Sequence, residues 1–258
     1  MNCAIIGYTG FVGGNLINQN KFDFLFNTSN ISDLKGGEFD LLVCAAPAAV
    51  KWKAISEPET DLRMVRSLMD ALSSVTVKNF IQISTIDVYP SIDGVDEDAP
   101  IDPEKNHAYG KHRFYLEQFI GEKFKSHLVV RLPGLFGPGL KKNFIFDIMN
   151  SNCLHLTHRD SMFQFYDLNN LWRDIQKAMA AGLSLVNFSC EPTSAAEVAR
   201  ECFNVEFANV TEKPPASYNM KSKHAGLFGG KGGYMYGREK ILEQIRAYAS
   251  EARKGDVK

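Results

Sequence analysis

Three side chains in the first half of the sequence are of the types that carry out acid–base chemistry. Tyr109 and Arg113 are four residues apart in a segment whose apolar positions predict a helix, so both can project from one face. A cation beside a phenol favours the phenolate, and we therefore expect Arg113 to lower the pKa of Tyr109. A phenol tuned in this way exchanges a proton with a substrate oxygen. Thr85 ends a predicted strand, where its hydroxyl can hold the same oxygen.

A glycine-rich segment near the start of the chain predicts a binding site for a phosphate group. It follows an apolar run that is typical of a buried strand, and it precedes residues 15–18, which can start a helix. The free N–H groups and the dipole at a helix N-terminus attract anions. The spacing of the glycines suits a sharp turn, a close approach to a pyrophosphate and tight packing of helix on strand. We predict that the whole segment binds a dinucleotide: Gly7, Tyr8, Thr9, Gly10, Phe11, Val12 and Gly13.

The end of the second predicted strand bears on the type of dinucleotide. The strand, residues 24–26, leads into Asn27, Thr28 and Ser29. In a dinucleotide-binding fold this position faces the adenosine ribose, where an acidic residue binds the hydroxyls of NAD. The three residues here are neutral, so they do not repel the extra phosphate of NADP, although no Arg or Lys is present to bind it. The sequence therefore predicts NAD or NADP, with NADP favoured.

The third predicted strand, residues 40–47, ends in small residues. It follows after a segment too short for a helix and a further strand, so one crossover of the usual pattern is truncated. Ala45, Ala46 and Pro47 would let a flat ring or a ribose lie against the strand end, and we predict that they contact the cofactor. Core packing explains the two alanines equally well.

The order of the motifs resembles that of a known family, the extended short-chain dehydrogenase/reductases. These are NAD-dependent epimerases, dehydratases and reductases of nucleotide sugars. The similar segments are the glycine motif, residues 84–90, residues 109–113 and residues 131–139. The resemblance implies a Rossmann fold, that is, a doubly wound parallel sheet, with a small C-terminal substrate lobe. It also implies that Tyr109 and Arg113 contact the cofactor and that Pro133 lies near the nicotinamide.

The sequence departs from the family pattern at two places. Arg113 stands where the family has lysine; it keeps the positive charge, but its planar group differs in geometry from an ammonium. Ile86 and Asp87 stand where the 4,6-dehydratases carry an acidic pair, and isoleucine cannot protonate a leaving hydroxyl, so dehydration is disfavoured. Asp87 is either an accessory base near the substrate or a loop carboxylate bonded to the backbone.

The second part of the chain is expected to cover the substrate. We predict a dinucleotide-binding core over residues 1–140, with a strand returning near residues 184–189, and a mainly substrate-binding lobe over residues 141–258. Asn143 starts this lobe, and Gln164 lies where family members often place a group near the nucleotide diphosphate. Both are candidate substrate-binding residues, together with Asp87. The acidic loop over residues 90–106 is interpreted as a solvated lid.

Composition restricts the other functions. The formal net charge of −1 gives no electrostatic basis for binding nucleic acid. No signal peptide or membrane-spanning run is found, and the five cysteines are scattered, so we expect a cytoplasmic protein with free thiols. His155 and His158 have no third ligand, so no metal is predicted. Aromatic residues around the Tyr109 helix, which in relatives often pairs with a second copy, predict a homodimer. They are Phe114, Tyr115, Phe119 and Phe124.

The sequence therefore supports two functions. The first is an NAD(P)-dependent reductase, dehydrogenase or epimerase that acts on a nucleotide-linked sugar, with Thr85, Tyr109 and Arg113 as catalytic residues. The second, suggested by Arg113 in place of lysine, is an NAD(P)-binding regulator or scaffold whose catalysis is weakened.

Overall fold

A six-stranded sheet with the order β2-β1-β3-β4-β5-β9 organises the first part of the protein. The computed structural model describes residues 2–255, so Met1 and residues 256–258 of the two predicted domains lie outside it. The pairs from β2 to β5 are parallel. The strands are β1 (Cys3–Ile6), β2 (Phe24–Phe26), β3 (Glu38–Cys44), β4 (Thr76–Thr85), β5 (His127–Leu132) and β9 (Leu185–Asn187). This confirms the predicted Rossmann-type fold.

The register of the sheet brings the predicted cofactor residues to one edge. Ile6 of β1 pairs with Phe26 of β2 on one side and with Cys44 of β3 on the other. The three strands therefore end level, and the residues that follow them, from Gly7, Asn27 and Ala45 onward, leave the same carboxyl edge. In open parallel sheets this is the edge where ligands bind.

Helices cover this sheet through apolar stripes. They are α1 (Phe11–Gln19), α2 (Lys51–Ser56), α3 (Pro58–Ser73), α4 (Ala108–Lys123) and α6 (Leu171–Ala180). In α3, a proline occupies the first turn, and Val65, Leu68 and Leu72 recur at helical spacing and are buried. In α4, Leu116 and Ile120 join the same core.

The connection between β2 and β3 is short, as predicted. It contains one 3-10 turn, Ile31–Leu34, in place of a crossover helix and strand. As a result β2 is the edge strand of the sheet. Helix α2 was not predicted, because its six residues are too few to show an apolar period.

The second compact unit comprises residues 92–97, 133–170 and 187–255 of the described chain. The first unit comprises residues 2–91, 98–132 and 171–186. The second unit contains β6 (Gly134–Phe136), β7 (Met162–Phe163), β8 (Phe165–Asp167) and β10 (Thr193–Ser194), with α5 (Phe144–Asn150), α7 (Ala195–Phe203) and α8 (Arg238–Gly255). Strands β6 and β8 pair in parallel, and β7 and β10 are antiparallel. These bounds differ from the predicted division at residue 140, because α6 packs on β5 and on α1 in the first unit.

The acidic loop is less solvated than its composition suggests. The Glu97 carboxylate accepts hydrogen bonds from the backbone N–H groups of Asn187 (2.7 Å) and Lys223 (2.9 Å). It also accepts one from the hydroxyl of Ser222 at 2.6 Å. Residues 92–97 are therefore anchored within the second unit. For this part of the loop, the interpretation as a solvated lid was wrong. Across the described range, no helix is both long enough and apolar enough to pass through a membrane.

Candidate active site

The glycine segment forms the turn between β1 and α1, and its backbone geometry requires glycine at two positions. Gly7 has φ +86°, and a Cβ there would lie 2.9 Å from the carbonyl oxygen of Ala45. A Cβ on Gly13 would collide with the backbone of Gly7 and Tyr8. Helix α1 begins at Phe11, four residues before the predicted start, and no side chain caps it. The first helical turn thus presents N–H groups where a phosphate could bind.

The adenosine-side residues form an ordered turn after β2. The Asn27 side-chain oxygen accepts hydrogen bonds from the Ser29 N–H (2.9 Å) and hydroxyl (2.6 Å). The Asn27 amide group donates to the hydroxyl of Tyr8 at 3.3 Å, which links this turn to the glycine segment. Thr28 and Ser29 are exposed. The turn is neutral, as its sequence indicates.

The segment after β3 lies against the glycine turn. Strand β3 ends at Cys44, so Ala45, Ala46 and Pro47 lie beyond it, and the peptide bond between Ala46 and Pro47 is cis. The buried amide of Gln82 donates to the carbonyl of Ala46 at 3.2 Å. Ala45 and Ala46 lie beside Gly7, since a Cβ on Gly7 would come within 2.9 Å of the Ala45 carbonyl oxygen and 3.3 Å of the Ala46 nitrogen.

The start of α4 is fixed against the end of β4. His107 caps the helix by accepting a hydrogen bond from the N–H of Gly110 through Nδ1. A Cβ on Gly110 would overlap the carbonyl oxygen of Asp87, so only glycine allows this approach. Asn106 donates to the carbonyl groups of Asp87 (2.8 Å) and Val88 (2.9 Å). Tyr109 is thereby held beside the Thr85–Asp87 segment.

The phenol of Tyr109 is buried, and burial dominates its ionisation. Burial raises its pKa from 10.0 to about 12. Arg113 and a hydrogen bond with the Thr85 side chain oppose this rise, while the negative charges of Asp87 and Asp61 add to it. The expectation that Arg113 brings the pKa of Tyr109 below its ordinary value was therefore wrong. Tyr109 is a neutral phenol at neutral pH.

The guanidinium of Arg113 is held on three sides. Its Cζ lies 4.2 Å from the centre of the Tyr109 ring. One terminal nitrogen donates to the buried carboxylate of Asp61, and the other donates to the carbonyl oxygen of Ala48 at 2.9 Å. His112 also contacts the same Asp61 oxygen, at 2.8 Å. Arg113 is thus beside Tyr109, as predicted, but its charge is paired.

Asp87 belongs to a partly exposed polar group beside Thr85. Its Oδ1 lies 2.6 Å from Nζ of Lys51 and 3.9 Å from Nε2 of His107. Its Oδ2 lies 3.5 Å from the Thr85 hydroxyl, which in turn accepts a hydrogen bond from the Asp87 N–H at 3.1 Å. The Asp87 carboxylate therefore contacts the side chains of Lys51, His107 and Thr85, the last of them a predicted catalytic hydroxyl.

A buried charge network supports β4 and β5 in the same unit. The guanidinium of Arg131 donates to both oxygens of the Glu117 carboxylate, at 2.6 Å for Oε2, and to the hydroxyl of Tyr89 at 2.7 Å. Ser84, adjacent to Thr85, donates to Glu117. The network ties α4 to the strands that end at Thr85 and Leu132, and so it fixes the backbone on which the predicted catalytic residues stand.

The two candidate substrate-binding residues of the second unit, Gln164 and Asn143, use their side chains to form hydrogen bonds with backbone groups of the same unit. The Gln164 side chain is 2% exposed; it donates to the carbonyls of Cys190 and Met220 and accepts from the Met220 N–H at 2.7 Å. The Asn143 side chain caps α5 by accepting from the N–H groups of Ile145 and Phe146, and it donates to the Leu135 carbonyl. Their surroundings do not support the expected substrate contacts.

Pro133 is buried in the second unit, directly before β6, and its contact with a cofactor stays a prediction. Within residues 2–255, no group of three or more His, Cys, Asp or Glu side chains is arranged to hold a metal ion.

Sequence reasoning missed three residues that surround the site: Lys51, Asp61 and His107. Asp61 looks like an ordinary acidic residue in the first turn of a helix, and it contacts residues about 50 positions away. Lys51 lies on the short helix that was not predicted. Only His107 had a local signal, because it precedes the predicted α4 and a helix start needs a cap.

Comparison with solved structures supports the fold. A dTDP-4-dehydrorhamnose reductase from Clostridium acetobutylicum is 19% identical, with 98% of this chain and 100% of that chain covered and a TM-score of 0.74. The same kind of enzyme from Bacillus anthracis, in complex with NADP, is 18% identical over 96% and 98% of the chains, with a TM-score of 0.71. A mutant UDP-glucuronic acid 4-epimerase from Bacillus cereus, in complex with NAD, is 12% identical over 98% and 99%, with a TM-score of 0.75.

Comparison with curated protein sequences found no match. A family profile does match: that of the NAD-dependent epimerase/dehydratase family covers residues 33–169, more than half of the chain. The match includes Thr85, Tyr109 and Arg113, and it begins after the glycine segment, whose geometry is independent evidence for the same fold. The chain belongs to the NAD-dependent epimerase/dehydratase family.

Proposed function

We propose that the protein is an NAD(P)-dependent oxidoreductase or epimerase that acts on a nucleotide-linked sugar. The observation that carries this proposal is Tyr109, a buried phenol whose ring lies under the Arg113 guanidinium, in the same unit as Thr85 and the glycine turn. Solved structures with the same fold include a reductase with NADP and an epimerase with NAD. Their substrates are nucleotide sugars by name, which supports the substrate class proposed for this chain.

The residues at the sheet edge fit a dinucleotide. A side chain on Gly7 or Gly13 would fill the turn, and the uncapped N-terminus of α1 offers N–H groups for a pyrophosphate. When bound, the cofactor would supply or accept the hydride. The neutral turn at Asn27, Thr28 and Ser29 supports NADP over NAD, because it presents no carboxylate to repel the additional phosphate.

In the proposed mechanism, Tyr109 is the proton donor in the direction of carbonyl reduction. The O–H bond of Tyr109 breaks as the new O–H bond forms on the substrate oxygen, which the Thr85 hydroxyl holds in place. A phenol with a pKa raised to about 12 carries this proton at neutral pH, which favours the reductive direction. Arg113 orients the ring of Tyr109 through face contact.

Dehydration is disfavoured at this site. Ile86 is 3% exposed and has no proton to give, and Asp87 is paired with Lys51. An enzyme that removes water from the sugar needs an acid at the leaving hydroxyl. Reduction needs Tyr109 to give a proton to the substrate oxygen as hydride reaches the carbon, and oxidation needs it to accept that proton as hydride leaves. Epimerisation needs both steps in turn.

The test compares two tyrosine variants on the same helix. Tyr109→Phe removes the proposed acid, and Tyr115→Phe removes only a hydrogen bond to the exposed Glu104. Each protein is incubated with NADH or NADPH and a panel of keto-sugar nucleotides. We expect Tyr109→Phe to lose roughly 100-fold or more in kcat while still binding the dinucleotide, and Tyr115→Phe to match the wild type. Equal turnover by both variants would exclude Tyr109 as the acid.

A second candidate function has its own observation. Arg113 replaces the lysine of the family, but its guanidinium is bonded to Asp61 and to the carbonyl of Ala48. It is therefore not a free cation. This favours an NAD(P)-binding regulator or scaffold with weakened catalysis. Tight dinucleotide binding without turnover of any substrate in the panel would support this candidate over the enzyme.

We also propose that the protein is a cytoplasmic homodimer. The apolar surface proposed to pair the two copies differs from the one that the sequence predicts. Phe124 stacks on Phe80 in the core, with ring centres 4.4 Å apart, and Phe119 packs against the same cluster, so they do not form the expected surplus surface. Exposed apolar side chains lie instead on α2 and α3, at Trp52, Ile55 and Met64. Light scattering at micromolar concentration measures the mass; a monomeric mass would contradict the dimer.

A further inference from the structure

Asp61 is a buried carboxylate without a role in the proposed mechanism. It lies in the first turn of α3, and its side chain is 3% exposed. A buried carboxylate is costly unless it is paired, so its partners define what it does. Both partners are on α4: Arg113 and His112, which contact the same oxygen.

The position of Arg113 makes this pair relevant to Tyr109. The guanidinium is bonded to Asp61 on one side and to the carbonyl of Ala48 on the other, so its plane is fixed at two points. Its Cζ lies 4.2 Å from the centre of the Tyr109 ring. If Arg113 left the ring, it would leave the buried Asp61 without its cationic partner.

We propose that Asp61 is a positioning residue for Tyr109, which acts through Arg113. Its carboxylate holds the guanidinium against the phenol ring and opposes its positive charge there. This inference rests on the proposed function, since it concerns the position and the electrostatic surroundings of the residue proposed as the acid.

The charged groups around Tyr109 act on its ionisation in opposite directions. Arg113 on α4 favours the phenolate; Asp61 on α3 and Asp87 after β4 oppose it. Thr85 on β4 stabilises the phenolate by a hydrogen bond. Lys51 on α2 and His107 before α4 face Asp87, and His112 faces Asp61. Loss of the Asp61 charge therefore removes one opposing charge and leaves Arg113 less compensated.

The test measures the ionisation of Tyr109 directly, without cofactor or substrate. Carbon-13 at the ring Cζ of tyrosine reports phenolate formation by NMR, and Tyr109→Phe assigns the signal. In the wild type we expect the midpoint near pH 12, in line with the raised pKa. In Asp61→Asn, which keeps the size and an acceptor oxygen, the midpoint should fall below the wild-type value, because one negative charge that opposes the phenolate is lost. Asp70→Asn, which removes an exposed charge from the same helix, should leave it unchanged.

Two further variants distinguish electrostatics from packing. Arg113→Met should move the midpoint upward, opposite to Asp61→Asn, and Asp61→Glu should restore the wild-type value. An unchanged midpoint in a folded Asp61→Asn protein would overturn the proposal and leave Asp61 a purely structural residue.

A measurement on the wild type covers the case in which Asp61→Asn does not fold. Nitrogen-15 NMR of the arginine side chains, assigned with Arg113→Lys, should show slow rotation of the Arg113 guanidinium, and free rotation would overturn the proposal. The failure of the proposed mechanism is separate: full turnover by Tyr109→Phe would exclude Tyr109 as the acid and leave the titration result standing.

Discussion

The glycine turn and the Tyr109 cluster are both sites that sequence motifs located, but they are built from different kinds of interaction. In the turn, backbone atoms of Ala45 leave no space for a side chain at Gly7, and backbone atoms of Gly7 and Tyr8 leave none at Gly13. In the cluster, a side chain of α3 and a backbone carbonyl before α2 both bind the guanidinium of Arg113, which covers the ring of Tyr109 on α4. The turn depends on glycines that lack a side chain, whereas the cluster depends on a carboxylate and a guanidinium that pair beside the phenol.

This difference decides how each site responds to a substitution. The turn responds to added volume, since the carbonyl of Gly7 cannot move without breaking the start of α1. The cluster responds to a change of charge at constant volume, since its geometry depends on one carboxylate and one guanidinium. Substitutions that separate volume from charge therefore test the comparison.

The largest effect is expected at Gly13. Gly13→Ala places a Cβ inside contact distance of the Gly7 carbonyl, and overpacking of backbone against backbone should cost about 3 kcal/mol of unfolding free energy. Calorimetry should detect no binding of NADH or NADPH.

The neighbouring glycine is the matched control. At Gly14 a Cβ would lie 3.6 Å from the Tyr8 oxygen, an ordinary contact. Gly14→Ala should retain dinucleotide binding and gain up to about 1 kcal/mol of stability from helix propensity. Equal behaviour of the two variants would show that volume does not define the turn.

An intermediate effect is expected at Gln164, which the resemblance to the family suggested as a substrate contact. Gln164→Leu leaves the buried N–H and carbonyl of Met220 and the carbonyl of Cys190 without this partner, so the unfolding free energy should fall by about 2 kcal/mol. Denaturant titration measures this, with the exposed Gln118→Leu as control. If stability is unchanged and only the substrate KM rises, the side chain binds substrate after all.

The smallest effect on stability is expected at Lys51. Its side chain is 37% exposed, and a solvent-accessible ion pair such as Lys51–Asp87 contributes less than about 1 kcal/mol. Lys51→Met should leave thermal unfolding nearly unchanged, yet it frees a carboxylate 3.5 Å from the Thr85 hydroxyl and should change kcat/KM severalfold. Lys53→Met, an exposed neighbour on α2, is the control. Matching kinetics in the two variants would mean that the Lys51–Asp87 pair does not influence the site.

The sequence predicted the parts of the fold and site that depend on local patterns. The strand, glycine turn and helix at residues 3–19, the apolar stripe of α3 and the helix that carries Tyr109 all follow from short-range spacing. The pairing of Asp61 with Arg113 does not, because nothing in residues 58–64 indicates a partner on α4. Likewise, the Phe124 side chain was assigned to the surface because its position in a helix does not reveal that Phe80 stacks on it.

The order of the chain through the two compact units has a consequence for synthesis. The first unit includes residues 171–186, which supply α6 and most of the edge strand β9, while residues 133–170 belong to the second unit. A chain emerging from the ribosome therefore presents the glycine turn first, yet the sheet that carries it stays incomplete until residue 186 has been made. Domains generally fold as units during synthesis. We expect a nascent chain halted at residue 140 to expose the open side of β5 and to depend on chaperones.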